Sequence, residues 1–233
     1  MNFIEINNLK KAYKLTEVVN IPHLAIPVGE SFGLVGNNGA GKTTLFRMIL
    51  DLTRPNYGEV TSKGIDVRQS EEWKSYTGSY LDEGFVIDFL TPDEYFHFIG
   101  DINHLSKGDI NEFLDAFAEV FNNEIIGKKK YIRDLSKGNQ KKVGIAAALM
   151  VNPEIILLDE PFANLDPSTQ IRLKKYLIEI KQQKQVTLLI SSHDLNHVTE
   201  VCERIVVLEK GEIIHDIRTS QNTLRALEEH FAV

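Results

Sequence analysis

The stretch Gly36-Asn37-Asn38-Gly39-Ala40-Gly41-Lys42-Thr43 decides how this chain folds. It consists of a glycine, four further residues and then Gly-Lys-Thr, which is the pattern of a phosphate-binding loop. Glycines let the backbone curl until successive N–H groups point at one anion, and a following helix adds its positive end. We expect Lys42 to reach the β- and γ-phosphates of a nucleotide and the Thr43 hydroxyl to bind Mg²⁺.

The residues on either side of the loop supply the context that the motif requires. Residues 31–35 form a short apolar run that predicts a buried strand, and residues 44–50 predict a helix. An ordinary glycine-rich turn is the alternative interpretation. Because glycine makes up about 7% of average sequences, a chance match to the whole pattern in a chain of this length is on the order of one per cent.

The composition is that of a folded globular protein, with 233 residues, 42% hydrophobic and 25% charged. A net charge of −7 argues against a general binder of nucleic acids or anionic membranes, so we expect no nucleic-acid partner. Because this overall charge repels a polyphosphate, attraction to a nucleotide has to be local. Lys42, the N-termini of helices and Mg²⁺ can provide it.

The predicted location is the cytoplasm. The single cysteine, Cys202, excludes an internal disulfide and suits a reducing compartment. The first five residues have neither a basic region nor a long apolar core, so we expect no secretory signal. No window of the sequence approaches eighteen apolar residues, and we therefore expect no membrane-spanning helix.

The pattern along the chain predicts an α/β fold with two additions. Residues 3–6 begin a strand, residues 7–13 lead away from it, and residues 18–26 give short extended segments broken at Pro22 and Pro27. We expect this N-terminal part to form an antiparallel β portion. Residues 91–94, Thr-Pro-Asp-Glu, form a capping box that opens a helix, and the apolar residues of 109–121 share one face of a further helix.

The predicted organisation is therefore a nucleotide-binding α/β core of residues 1–85 and 152–233, with a helical subdomain, 86–151, inserted in it. In the second half of the core, apolar strands alternate with helices, which indicates a mainly parallel sheet covered on both faces. The strands are predicted at 155–158 and 186–190, helices at 168–182 and 195–202, a hairpin at 204–208 and 212–215, and a short helix at the C-terminus. Ligands of such sheets bind at the carboxyl ends of the strands.

Two further stretches carry candidate site residues. Asp159 and Glu160 follow a buried strand, where Asp159 could hold Mg²⁺ and Glu160 could orient or deprotonate an attacking water. Two acids that merely end a strand in solvent are the alternative. Ser136 is a good N-cap for a helix over 141–150, which offers a second N-terminus for a phosphate, although by itself an ordinary helix start is the better interpretation.

Over essentially its whole length the sequence resembles the ATP-binding subunit of ABC transporters, a P-loop NTPase family. The resemblance rests on six motifs in order: Tyr13 at the position of the adenine-stacking aromatic, Gly36 to Thr44 as the Walker A loop, Ser136 to Gln140 as the signature, Ile155 to Glu160 as the Walker B strand, Asn164-Leu165-Asp166 as the D-loop and His193 as the switch histidine. The signature, Ser-Lys-Gly-Asn-Gln, is similar to that of single-domain ATPases of drug and antibiotic exporters, which favours export.

The resemblance implies a head-to-tail dimer, formed with a second copy or with a related chain, that hydrolyses ATP to ADP and phosphate and drives a separate membrane permease from the inner face of the membrane. Each ATP would lie between the Walker A loop of one chain and the signature of the other. Implied catalytic residues are Lys42, Glu160 and His193; implied ATP-binding residues are Tyr13, Asn37, Asn38, Gly39, Ala40, Gly41, Lys42, Thr43, Thr44, Ser136, Gly138, Asn139 and Asp166; implied Mg²⁺ ligands are Thr43, Asp159 and Asp82.

The sequence departs from the family pattern in two places. Asp82 stands where the family usually has a glutamine that contacts Mg²⁺ and couples to the permease, and we hypothesise altered metal affinity or coupling. Lys137 replaces a signature glycine, and it either adds a positive charge near the phosphates of the partner or points to solvent. Two other functions stay open: a soluble ABC-type ATPase that assembles or remodels proteins without transport, and a nucleotide-gated regulatory module that binds ATP but barely turns it over. The transported substrate is not predicted.

Overall fold

The computed structural model describes residues 2–220, 223, 224 and 227. Its strands are β1 (Asn2–Tyr13), β2 (Thr16–Pro27), β3 (Ser31–Val35), β4 (Tyr57–Ser62), β5 (Ile65–Asp66), β6 (Thr77–Tyr80), β7 (Ile155–Asp159), β8 (Thr187–Ser192), β9 (Arg204–Glu209) and β10 (Glu212–Arg218). Its helices are α1 (Lys42–Ile49), α2 (Pro92–Ile102), α3 (Lys107–Ala116), α4 (Ala118–Phe121), α5 (Lys137–Met150), α6 (Pro167–Lys184) and α7 (Leu195–Val201).

The larger sheet has six strands in the order β10-β9-β3-β8-β7-β6 and confirms the predicted α/β class. All neighbours in it are parallel except the β9–β10 hairpin. Alternate residues of its strands enter two different hydrophobic clusters, with Ile156 and Leu158 in one and Ile155 and Leu157 in the other. Because successive side chains of a strand point to opposite faces, both faces of this sheet are covered.

The smaller sheet, in the order β2-β1-β4-β5, is antiparallel and confirms the predicted N-terminal β portion. Two details of the sequence prediction are wrong here. The first strand does not end at residue 6 but continues to Tyr13, and Pro22 lies inside β2 rather than ending a strand. Proline is tolerated at that position because β2 is an edge strand of the sheet, where one row of backbone donors needs no ladder partner.

The helical region also confirms one prediction and corrects another. Thr91 and Glu94 form the predicted capping box at the start of α2, with each side chain bonded to the backbone N–H of the other residue. The single helix predicted over 109–121 is in fact two helices that meet at Phe117. The buried ring of Phe117 packs edge-on against Tyr176 with 4.9 Å between the ring centroids, so packing on α6 overrides the continuous helical pattern.

Helices α2 to α5 all fall within residues 86–151, and the boundaries of a separate helical subdomain stay a prediction. Buried residues of these helices share one hydrophobic cluster with the larger sheet and with α6. Most of the short C-terminal helix predicted from the sequence lies outside the described residues. Among the residues that the structure describes, no helix is both long and apolar enough to cross a membrane.

Candidate active site

The glycine loop lies between β3 and α1 and has the conformation of an anion-binding turn. Gly39 and Gly41 adopt φ values of +84° and +108°, which residues with a side chain rarely adopt. A Cβ on Gly41 would also lie 2.4 Å from the carbonyl oxygen of Val18, so only glycine fits between the loop and β2. Helix α1 begins at Lys42 without a side-chain cap, which leaves its first N–H groups for a bound anion.

Lys42 is buried, and its side chain bonds back to the glycine loop. Its Nζ donates hydrogen bonds to the carbonyl oxygens of Gly36 at 2.6 Å and Asn37 at 3.4 Å. The same Nζ is 3.4 Å from Oε1 of Glu160, which is 24% exposed. The lysine therefore contacts both the glycine loop and Glu160, the acid that follows β7. This agrees with the sequence prediction, which assigns Lys42 and Glu160 to the same site.

Thr43 and Asp159 form the second contact between the loop and β7. The Thr43 hydroxyl donates to Oδ2 of Asp159 at 2.5 Å, and the Ser191 hydroxyl donates to the other carboxylate oxygen. Burial raises the pKa of the Asp159 carboxyl, while these two hydroxyl bonds act to lower it. A threonine hydroxyl beside a carboxylate suits Mg²⁺, which binds through one or two carboxylates and completes its coordination with waters and substrate phosphates.

Ser191 is the residue of this group that the sequence prediction did not identify. It lies opposite Asp159 in the β7–β8 pairing, so the parallel register brings its hydroxyl to the carboxylate. Its Oγ also accepts a hydrogen bond from the N–H of Glu160 at 3.0 Å. The sequence does show two serines directly after the apolar part of β8, near the predicted end of that strand. Nothing in the sequence indicates which of the two serines faces Asp159.

Glu160 lies at the centre of the cluster and has a strained backbone. Its φ is +48°, in the left-handed region that residues with a side chain seldom occupy. Oε2 of Glu160 is 2.9 Å from Nδ1 of His193, which is half-exposed. The ends of β3, β7 and β8 thus bring together Lys42, Thr43, Asp159, Glu160 and His193, which are the predicted catalytic residues and two of the predicted Mg²⁺ ligands.

The signature residues lie at the start of α5. Ser136 is the N-cap, and its hydroxyl accepts from the N–H of Asn139 at 3.3 Å. Gly138 packs against the backbone of Asn164, where a Cβ would come within 2.7 Å of the carbonyl oxygen. Lys137 is exposed. Their predicted contact with ATP concerns a second chain, so it stays a prediction.

Tyr13 and Asp166 have partners of their own within the chain. Tyr13 is half-exposed at the end of β1, with the Nζ of Lys11 5.0 Å from the centre of its ring. The Asp166 carboxylate caps α6 and accepts bonds from Ser168 and Thr169, which hold the pKa of that carboxyl far below its usual range. The predicted stacking role of Tyr13 and the predicted ATP contact of Asp166 stay predictions.

The Asp82 carboxylate has hydrogen-bond partners within the chain that the sequence did not indicate. One carboxylate oxygen is 3.4 Å from the guanidinium of Arg47 in α1, and the other accepts from the N–H of Gly84 at 2.7 Å. Both atoms that could bind a metal therefore have protein partners in this structure. Its role as an Mg²⁺ ligand stays a prediction, and Arg47 is a partner that sequence reasoning missed.

Comparison with known proteins gives relatives across nearly the whole chain. The profile of the family described as ABC transporter matches residues 19–163. An ABC transporter ATP-binding protein of Synechocystis sp. is 33% identical over 91% of this chain and 62% of its own length. The bacitracin transport ATP-binding protein BcrA of Enterococcus faecalis is 32% identical over 94% of this chain and 70% of its own length.

Solved structures agree on the fold. The dimeric structure of MJ0796, a bacterial ABC transporter cassette, superposes with a TM-score of 0.81 at 24% identity and covers 93% of this chain and 99% of that one. The chain spans less than two thirds of the Synechocystis relative. The P-loop NTPase fold and the family predicted from the six motifs are confirmed: this chain belongs to the ABC transporter family, as one of its ATP-binding proteins.

Proposed function

We propose that this chain hydrolyses ATP to ADP and phosphate as one half of a head-to-tail dimer and that this reaction energises a separately encoded membrane permease. One observation carries the proposal. Lys42 from the glycine loop and His193 from the end of β8 each lie within 3.4 Å of the Glu160 carboxylate at the end of β7, one at each of its oxygens. Because a general base beside the phosphate-binding lysine serves hydrolysis, this contact favours an ATPase over a regulatory module that binds ATP but barely turns it over.

Each residue of the cluster has a role that follows from its position. Thr43 and Asp159 would hold Mg²⁺, which neutralises charge that develops on the phosphate oxygens. Lys42 and the N–H groups of the loop hold the phosphates by charge and hydrogen bonding. Glu160 would orient the attacking water and take its proton, and His193, bonded to Glu160, would contact the γ-phosphate.

The dimer is proposed because the chain has two separate helix starts that are candidates for phosphate binding. The N-terminus of α1 follows the glycine loop, whereas the N-terminus of α5 is capped by Ser136. In a head-to-tail pair, the start of α5 with Ser136, Gly138 and Asn139 would complete the site around ATP bound to the loop of the partner. Closing of the pair around ATP and reopening after hydrolysis would drive the permease.

The permease would bind beside α2, so the chain would be cytoplasmic and peripheral on the inner face of the membrane. A cavity of about 220 Å³ between β6, α2 and α5 is lined by Tyr80, Val86 and Tyr95 among others. Phe89 and Phe98, before and within α2, are 62% and 42% exposed. Phe85, which lines this cavity, is also 46% exposed, and exposed apolar side chains beside a cavity support a protein-binding surface here. Transport is further supported by the relative from Enterococcus faecalis, whose name refers to bacitracin transport.

ATP turnover by the purified chain with Mg²⁺ tests the enzymatic part. In Glu160→Gln the neutral amide cannot accept the proton of the water, so we expect the rate to fall by on the order of 10²- to 10⁴-fold. Glu154→Gln is a matched control, because Glu154 lies just before the first residue of β7, far from the site, and is an exposed residue that pairs with Lys63. Equal and near-zero rates for the wild type and Glu160→Gln would contradict hydrolysis and favour the regulatory module.

Capture of the chain from gently solubilised native membranes tests the transport part. A stoichiometric multi-spanning protein in the captured material is the expected result. Recovery of soluble partners alone, in several detergents, would contradict a permease partner and favour a protein-remodelling ATPase.

A further inference from the structure

Two adjacent lysines of α5, both almost fully buried, have different partners. The Nζ of Lys141 donates to the backbone carbonyl oxygen of Glu160 at 2.7 Å. The Nζ of Lys142 instead forms an ion pair with Glu124 at 2.9 Å. Because this bond is one of those that satisfy a buried ammonium, it links the position of Lys141 to the position of the Glu160 peptide.

The Glu160 backbone is held at both of its ends. On the N-terminal side, the N–H of Glu160 donates to both the carbonyl oxygen and the hydroxyl of Ser191. On the C-terminal side, Lys141 binds the carbonyl oxygen. A residue with a side chain at φ +48° persists only where surrounding contacts enforce that conformation. Since φ fixes the direction in which the side chain leaves the backbone, these contacts also aim the carboxylate at Lys42 and His193.

Helix α5 therefore contacts the segment after β7 at two points. Near its start, Gly138 packs against the carbonyl oxygen of Asn164, and one turn later Lys141 binds that of Glu160. Asn164 also has a positive φ, of +63°. Helix α5, whose start would bind the nucleotide of the partner, thus contacts two residues with positive φ, Glu160 and Asn164, in the segment after β7.

We propose that Lys141 is a positioning residue, which acts through the Glu160 peptide and makes the orientation of the Glu160 carboxylate depend on the position of α5. This inference rests on the proposed function. In the dimer, α5 moves onto the ATP held by the partner's loop, and the Lys141 bond transmits that movement to the Glu160 peptide of its own chain. Occupation of one site thereby aims the acid of the other.

Lys141→Met, which keeps the length of the side chain and removes the donor, tests the proposal. We expect kcat for ATP to fall by on the order of 10- to 100-fold, because small misplacements of a catalytic group cost about this much, while the KM for ATP stays within about a factor of two. Lys142→Met is the matched control, since it removes an equally buried ammonium from the same helix turn, and it should keep kcat. Lys141→Arg, which retains a donor, should be faster than Lys141→Met.

Equal kcat values for Lys141→Met and Lys142→Met, or a Lys141→Met variant whose KM rises at constant kcat, would overturn the proposal. In the background of Glu160→Gln, Lys141→Met should cost nothing further, because it acts through the missing carboxylate. A full additional loss there would assign Lys141 another role and refute the proposal.

A crystal structure of Lys141→Met separates this proposal from the proposed function. We expect the peptide between residues 160 and 161 to rotate and the backbone of Glu160 to leave the left-handed region. An unchanged peptide would overturn the role of Lys141 even if the chain is an active ATPase. If the wild type proves inactive, the proposed function fails, and the conformation of this peptide alone decides the role of Lys141.

Discussion

Replacing Ser191 by alanine should change the pH dependence of the site through Asp159, and it also removes one of the two acceptors of the Glu160 N–H. The Ser191 hydroxyl donates to one oxygen of the buried Asp159 carboxylate, and Thr43 donates to the other. Burial already raises the pKa of Asp159. Loss of a donor that stabilises the ionised carboxylate raises this pKa further, because the charged form loses more than the protonated form does.

The size of the effect follows from the charge of the acceptor. A hydrogen bond to a charged group contributes about 1.5–3 kcal/mol, and about 1.4 kcal/mol corresponds to one pH unit. The pKa of Asp159 in the metal-free protein should therefore rise by about one to two pH units in Ser191→Ala, and the acidic limb of the pH–rate profile should move upward in the same direction. The loss in free energy of unfolding should be largest where Asp159 is ionised, and it should shrink as the pH falls through the pKa of Asp159.

ATPase rates at neutral and acidic pH, and urea unfolding of the metal-free protein from pH 9 down to about pH 3, below the usual pKa of an aspartate, test this reasoning. Thr187→Val is the control, because Thr187 is a fully buried residue at the other end of β8 whose hydroxyl accepts from Gly29. It should lower stability by a constant amount and leave the pH–rate profile in place. An acidic limb that does not move in Ser191→Ala would refute the argument, as would a stability loss that is the same at every pH.

Two further predictions concern the core. Gly144→Ala should lower the free energy of unfolding by about 1–3 kcal/mol in urea titrations, because a Cβ there would lie 2.2 Å from the ring of Tyr80. The control Gly108→Ala should not destabilise the protein, because its Cβ would approach only Ser106 Oγ, at 3.5 Å. Equal losses of stability in the two variants would contradict the packing argument. Cys202 should react with a thiol reagent only as fast as the protein unfolds, because burial raises the pKa of its thiol; fast labelling of the native protein would show that it is accessible.

The sequence alone determined the features that depend on local residue order. A glycine loop between a buried strand and a helix has few conformations, so the pattern itself was enough to assign Lys42 and Thr43 to a phosphate-binding loop. Buried parallel strands consist of continuous apolar runs, which is why Asp159 and Glu160 could be placed at the end of β7. The Thr91–Glu94 capping box was predictable for a similar reason, since its contacts span only three residues.

The tertiary structure decided every contact between residues far apart in the sequence. The pairing of β7 with β8 places Ser191 opposite Asp159, and packing of α5 brings Lys141 to Glu160. A sequence pattern contains neither the strand register nor the direction of a buried lysine on a helix. The break at Phe117 has the same origin, because a ring packed on Tyr176 outweighs the local preference for a continuous helix. The local sequence pattern was thus sufficient to identify the main site residues. The side chains that hold them in position, such as Ser191 and Lys141, depend on long-range packing and were visible only in the tertiary structure.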